Sequence, residues 1–126
     1  MASRFDRDPK PSGPVVQGFS GRGFAVDGGV YEGLLLTPLR ADAWEPPALG
    51  DLDIDALAPL LALNPPPEFI LLGTGSAMAF APRALVKALD AQGIALDAMD
   101  SRAAARAWGM LRGEGRWIAA ALMPLD

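Results

Sequence analysis

Four consecutive apolar residues, Phe69, Ile70, Leu71 and Leu72, run directly into Gly73-Thr74-Gly75. So short and unbroken an apolar run, ending at a glycine turn, predicts a strand buried on both faces. That places the chain in the α/β class, where a sheet is covered by other elements on both sides. In open α/β sheets ligands bind outside the carboxyl ends of strands. The Gly73-Thr74-Gly75 turn is therefore the first candidate location for a site.

The flanking segments build a β-α-β-α-β core. After Gly75, Pro82 suits a first helical position, and Leu85, Val86 and Leu89 line one face of the helix it opens. Gly93 ends that helix. Ile94, Leu96 and Ala98 then alternate with Ala95, Asp97 and Met99, the period of a half-buried strand. Asp100 or Ser101 can cap the next helix, whose apolar stripe is Ala103, Ala104, Ala107, Met110 and Leu111. Gly113 and Gly115 turn the chain into a last strand from Arg116 to Leu122. Right-handed crossovers then call for parallel pairing, with Leu71, Leu96 and Ile118 on neighbouring strands and Leu85, Leu89, Ala107 and Leu111 over the sheet.

The N-terminal half is β-rich. Phe24-Ala25-Val26 and the run from Val30 to Leu36 flank Asp27-Gly28-Gly29, which predicts a β-hairpin carrying a bulge. Pro38 ends its second strand, and Pro46 and Pro47 keep the loop holding Trp44 extended. Asp51, Asp53 and Asp55 precede Leu57, Leu60, Leu61 and Leu63, suggesting a short amphipathic helix that tolerates Pro59 only near its start. Residues 1–14 are polar, with prolines at positions 9, 11 and 14, and are expected to form a flexible tail. Residues 15–126 then form a single compact α/β domain, an N-terminal hairpin plus the β-α-β-α-β core in a mixed sheet covered by helices. A chain of 126 residues buries about two-thirds of its unfolded surface.

The residue inventory excludes much chemistry. With no histidine and no cysteine, the chain lacks a Ser-His-Asp triad, an imidazole base, thiolate catalysis, and His- or Cys-ligated metal sites. A net charge of −4 argues against nucleic acid as a partner. No segment is long and apolar enough for direct membrane insertion, and the N-terminus resembles neither a signal peptide nor a mitochondrial presequence. A cytoplasmic protein without cofactor or metal is the plain expectation.

Two readings of the Gly73-Thr74-Gly75 turn compete: backbone necessity, and a binding loop. A dinucleotide fingerprint needs a third glycine where Met78 stands, and no Gly-Lys-Ser/Thr follows to make a P-loop. If the two β-α units are adjacent and parallel, the side chains of Asp97, Asp100, Ser101 and Arg102 ring the turn. Gly73, Thr74, Gly75, Asp97, Asp100, Ser101 and Arg102 are thus the candidate ligand-binding set, against the simpler reading of helix capping and ion pairing. Asp51, Asp53 and Asp55 alternate as Mg²⁺ ligands do, but a helix start explains them as well. Arg102, Arg106, Arg112 and Arg116 read as a basic stripe or as a solvated face. Trp108 lies one residue beyond the apolar stripe, so a half-exposed, partner-binding tryptophan is expected there. Tyr31 is the second partner-binding candidate.

Several motifs occur together: Glu68-Phe69-Ile70-Leu71-Leu72-Gly73-Thr74-Gly75, then Met99-Asp100-Ser101-Arg102-Ala103-Ala104, then Leu111 and Gly115-Arg116, with Tyr31-Glu32-Gly33 and Trp44 upstream. In this order and spacing they resemble an uncharacterised bacterial and archaeal domain family, the Mth-like domain of unknown function. Its eukaryotic relatives include the third assembly factor of mitochondrial respiratory complex I. The likeness covers nearly residues 15–122. Ser101 stands where relatives carry threonine, and Trp108-Gly109 replaces a Tyr-Asn pair. The resemblance implies a compact mixed-sheet α/β domain and no established enzymatic activity. It also implies protein partners, such as assembly intermediates of a membrane-associated respiratory or translocase complex. A non-enzymatic assembly factor is the functional expectation; a small enzyme or ligand-binding module using Asp100 and Arg102 is the alternative.

Overall fold

A computed structural model describes residues 13–126; residues 1–12, most of the expected tail, lie outside the described residues. In chain order the strands are β1 (Gly18–Ser20), β2 (Gly23–Val26), β3 (Gly29–Tyr31), β4 (Leu34–Leu36), β5 (Ala41–Ala43), β6 (Phe69–Gly73), β7 (Ala95–Met99) and β8 (Ala119–Leu122). The α-helices are α1 (Ala58–Leu61), α2 (Arg83–Asp90) and α3 (Ser101–Gly113), with two 3-10 turns, Leu49–Asp51 and Ile54–Leu57, ahead of α1.

Strand β6 is interior to the larger sheet, and its apolar run explains why. In the five-stranded order β5-β4-β8-β6-β7, β6 pairs in parallel with both β7 and β8. Ile70 and Leu72 join the core under α1 and α2 with Leu57, Leu60, Leu85 and Leu89. Leu71 points the other way, into a core with Ala104 and Trp108 of α3 and Phe24 and Val26 of β2. Alternate side chains therefore meet two separate apolar layers, and a strand with no polar face is what that position requires. Burying one such leucine stabilises the fold by about 2 kcal/mol.

The second layer includes a small sheet of its own, β1-β2-β3. Its β2–β3 turn is a two-residue loop, since Val26 pairs with Gly29. Asp27 and Gly28 both take positive φ, +49° and +85°, as a tight hairpin turn of this kind demands. The expected bulge lies elsewhere: Gly18 pairs with Ala25, and the Gln17 N–H also reaches the Ala25 carbonyl at 2.8 Å.

The run Val30–Leu36 is not the single strand that its composition suggested. It divides between β3 in the small sheet and β4 in the large one, and Gly33 is the crossing point. A Cβ at Gly33 would lie 2.1 Å from the Trp44 carbonyl oxygen, and the Trp44 N–H donates to the Gly33 carbonyl at 2.9 Å. Trp44 itself is buried after β5, a strand the sequence did not announce. Pro59 sits in the first turn of α1, the only place that helix tolerates it.

On α3 the buried face is displaced from the expected stripe. Ser101, Ala104, Ala105, Trp108 and Arg112 are buried, while Met110 is 66% exposed. Alanines are too small to dictate which face turns inward; the indole of Trp108 does. Its side chain is 0% exposed, and its N–H donates to the Pro14 carbonyl at 2.9 Å. The expectation of a half-exposed, partner-binding Trp108 is therefore corrected: this side chain is the largest one in the core. The basic stripe dissolves too. Arg112 is buried and bonds the Arg116 carbonyl, and Arg116 pairs with Glu68.

Candidate functional site

The Gly73-Thr74-Gly75 turn closes β6 at the point where α3 begins and β8 ends. A Cβ on Gly73 would lie 2.7 Å from Ser101 Oγ and 2.8 Å from Ser101 Cα. Glycine is therefore what lets the helix start pack against the strand. The Ser101 hydroxyl accepts from the Gly75 N–H at 2.8 Å and donates to the Met123 carbonyl at 2.8 Å. The Ser101 N–H returns to the Gly75 carbonyl at 2.8 Å, and the Met123 N–H reaches the Gly73 carbonyl at 3.0 Å. One buried serine thus ties together β6, α3 and the end of β8. Its single proton is committed and its side chain is shielded from solvent, so its chemistry here is that of a clamp.

Thr74 works outward from the same point. Its hydroxyl donates to the Ala77 carbonyl at 2.7 Å and accepts from the Ala79 N–H at 3.1 Å, with the Met99 carbonyl 3.2 Å away. Its N–H donates to the Met99 carbonyl at 2.9 Å. The loop that follows is thereby folded back on the strand end. Gly75 takes φ +103°, with the Pro124 carbonyl 3.2 Å from where a Cβ would be. The positive φ favours glycine, and a Cβ would also crowd that carbonyl.

The other candidates do not join them. Asp97 lies exposed on edge strand β7, opposite Leu71. Asp100 caps α3, accepting from the Ala103 N–H at 2.9 Å. Arg102 is on the outside of α3, its guanidinium carbon 5.6 Å from the Phe19 ring centroid. Of the seven ligand-binding candidates, Gly73, Thr74, Gly75 and Ser101 meet as a packing knot; Asp97, Asp100 and Arg102 point to other tasks. Asp53 likewise caps the turn at Ile54, accepting from the Ala56 N–H. Among the described residues no three carboxylates converge.

What opens at this strand end is a shallow groove of about 600 Å³, bordered by Thr74, Gly75, Met78, Leu49, Met123 and Pro124. Sequence reasoning missed its outer wall. The loop of residues 76–81 carries no charge and leaves Met78 50% and Phe80 85% exposed. The signal the sequence does hold for it is the absence of charge from Phe69 to Pro82. A second hollow, lined by Val30, Tyr31 and Glu32, adjoins the groove and shares Pro46 and Pro124 with it. Arg22 bonds both Glu32 and Asp126 beside these hollows. Its pKa is raised first by the hydrogen bond to Asp126, then by the charges of Asp126 and Glu32.

A second electrostatic feature lies at the opposite end of β6. Glu68 Oε1 accepts from Arg116 at 2.8 and 3.1 Å, and Oε2 accepts from the Trp117 N–H at 3.2 Å. The Arg116 hydrogen bond, then the Trp117 N–H, holds the Glu68 carboxyl below its ordinary value. This ties the start of β6 to the approach of β8. Among the described residues no helix is long and apolar enough to cross a membrane.

The architecture has close counterparts. A solution structure of a Bordetella pertussis protein, described as a Mth938-like domain, superimposes with a TM-score of 0.78 over 97% of this chain and 92% of its own at 23% identity, a likeness in fold. An uncharacterised protein of Rhodobacter capsulatus is 33% identical over 94% of this chain and 92% of its own length. The zebrafish NADH dehydrogenase [ubiquinone] 1 alpha subcomplex assembly factor 3 is 29% identical over 90% of this chain, which spans 66% of that factor. Residues 16–123, from the bulge before β1 to the Met123 held by Ser101, match the family described as a protein of unknown function, DUF498/DUF598, and the chain belongs to that family.

Proposed function

We propose that this chain is a binding protein that assists assembly of a larger, membrane-associated protein complex, without catalysing a reaction. The observation that carries the reading is the uncharged loop at the β6 end. Met78 and Phe80 stand in solvent there, on a base fixed by the Thr74 and Ser101 hydrogen bonds. Large apolar side chains held out on a rigid support favour contact with another protein. Val30 and Tyr31 extend that surface across Pro46 and Pro124. Relatives named as assembly factors of NADH dehydrogenase support a role in building a multi-subunit complex. The chemistry supports it as well, since the Thr74 and Ser101 hydroxyls are engaged in structural bonds and the chain has no His or Cys.

Affinity capture from native cells with membranes solubilised, followed by mass spectrometry, tests this. The expected result is a reproducible set of subunits from one incomplete complex, lost with a Met78→Ser/Phe80→Ser variant. No reproducible partner, together with turnover in a broad substrate screen, would favour a small enzyme at the strand end instead.

A further inference from the structure

The face formed by β1 and α3 shares no lining residue with the strand-end groove or the Tyr31 hollow. A narrow groove of about 210 Å³ runs there between Val16, Gln17, Gly18 and Phe19 on one side and Ala105 and Arg106 on the other. Among the described residues strand β1 is an edge, paired with β2 alone. Phe19 pairs in register with the buried Phe24, and the two rings meet edge-on with centroids 6.1 Å apart. Phe19 nevertheless remains 40% exposed. Arg102 lies over its ring, and Arg106 follows one turn later on the same side of α3. Neither arginine has a carboxylate partner among the described residues, whereas Arg22, Arg40 and Arg116 are each paired.

We propose that this groove docks an extended acidic segment of a partner protein. The segment adds a strand along β1, sets an apolar side chain against Phe19, and brings carboxylates to Arg102 and Arg106. Edge strands accept such segments through backbone hydrogen bonds, while alternate side chains supply specificity. Guanidinium groups bind carboxylates with two parallel hydrogen bonds, and Arg102 is already oriented by the aromatic face beneath it. Charge selects the occupant. The chain is acidic overall, at −4, yet among the described residues the charge lining this groove is that of arginine, so a basic segment is repelled. A second copy fits poorly: Gln17, Gly18, Phe19 and Ser20 bring no carboxylate, and self-pairing would set arginines together. Two arginines beside a recessed groove also fall short of the polybasic cluster that anionic lipid requires.

The test uses the full chain and a labelled heptapeptide alternating glutamate and valine, with its lysine counterpart, followed by fluorescence anisotropy and amide NMR shifts. The glutamate peptide should bind saturably, weaken with added salt, and shift the resonances of Gly18, Phe19 and Ser20. Arg102→Glu/Arg106→Glu should weaken it about tenfold or more. Arg106→Glu alone, which leaves the Arg102–Phe19 contact intact, should weaken it in the same direction, and the lysine peptide should not bind. Absence of saturable binding, affinity unchanged in both variants, or shifts confined to other surfaces would overturn the proposal. So would arginine-dependent binding to phosphatidylglycerol vesicles without binding of the peptide.

Discussion

Ser101 and Gly73 show how much one strand end depends on two small residues. Ser101→Ala removes the acceptor for the Gly75 N–H and the donor to the Met123 carbonyl, leaving two buried groups unpaired. A loss of about 1–3 kcal/mol is expected in urea denaturation. Gly73→Ala should cost a similar amount by overpacking, because the new methyl would meet both backbone and side chain of Ser101. Glu68 makes a different prediction. Its carboxyl is held below the ordinary glutamate range, first by the Arg116 hydrogen bond and then by the Trp117 N–H. A lowered folded value means that the ionised form is favoured in the native state. The contribution is therefore complete above the ordinary glutamate range and is lost as pH falls through the lowered folded value. Urea midpoints of wild type and Glu68→Gln should differ at neutral pH and converge in acid. The location of the turn was legible from its glycines, and the capping role of Asp100 from its place before an apolar stripe. The directions of Asp97 and Arg102 were not, since one follows from the pairing of edge strand β7 with β6 and the other from which face of α3 turns inward.

Helix α3 makes that point at the scale of the element. Its alanine stripe promised one buried face, and Trp108 with Ser101 set another, rotated by about one residue. Trp108→Ala should therefore destabilise the fold by about 3–5 kcal/mol, measured by chemical denaturation, instead of weakening a partner contact on a stable fold. Asp100 separates capping from catalysis. Asparagine caps as well as aspartate does, so Asp100→Asn should melt near wild type, whereas Asp100→Ala should lose about 1 kcal/mol. Strands were legible where an apolar run was unbroken, as in β6, or alternated over several residues, as in β7. They were hidden where three residues sufficed, as in Ala41-Asp42-Ala43 of β5. The switch from β3 to β4 depends on how close Gly33 comes to the Trp44 carbonyl, a tertiary fact that no local pattern contains.

Across the whole molecule, two layers clamp an interior strand, β6, whose carboxyl end is tied down internally while the loop beyond it is apolar and exposed. Stability resides in the knot at Gly73, Gly75 and Ser101, and the proposed partner binding in the adjoining surface at Met78 and Phe80. These two assignments separate cleanly. Leu71→Ala and Ser101→Ala act through the fold, and Leu71→Ala should cost about 2–5 kcal/mol through the cavity it leaves. Met78→Ser/Phe80→Ser removes exposed side chains and should leave the melting temperature nearly unchanged. The most direct measurement is quantitative capture from solubilised membranes, run in parallel with thermal melts, on Ser101→Ala and Met78→Ser/Phe80→Ser. Ser101→Ala should show a lower melting temperature with capture retained below that melt, and the loop variant an unchanged melt with capture lost. Capture that survives the loop variant and disappears with Ser101→Ala at temperatures where it remains folded would contradict this division of roles.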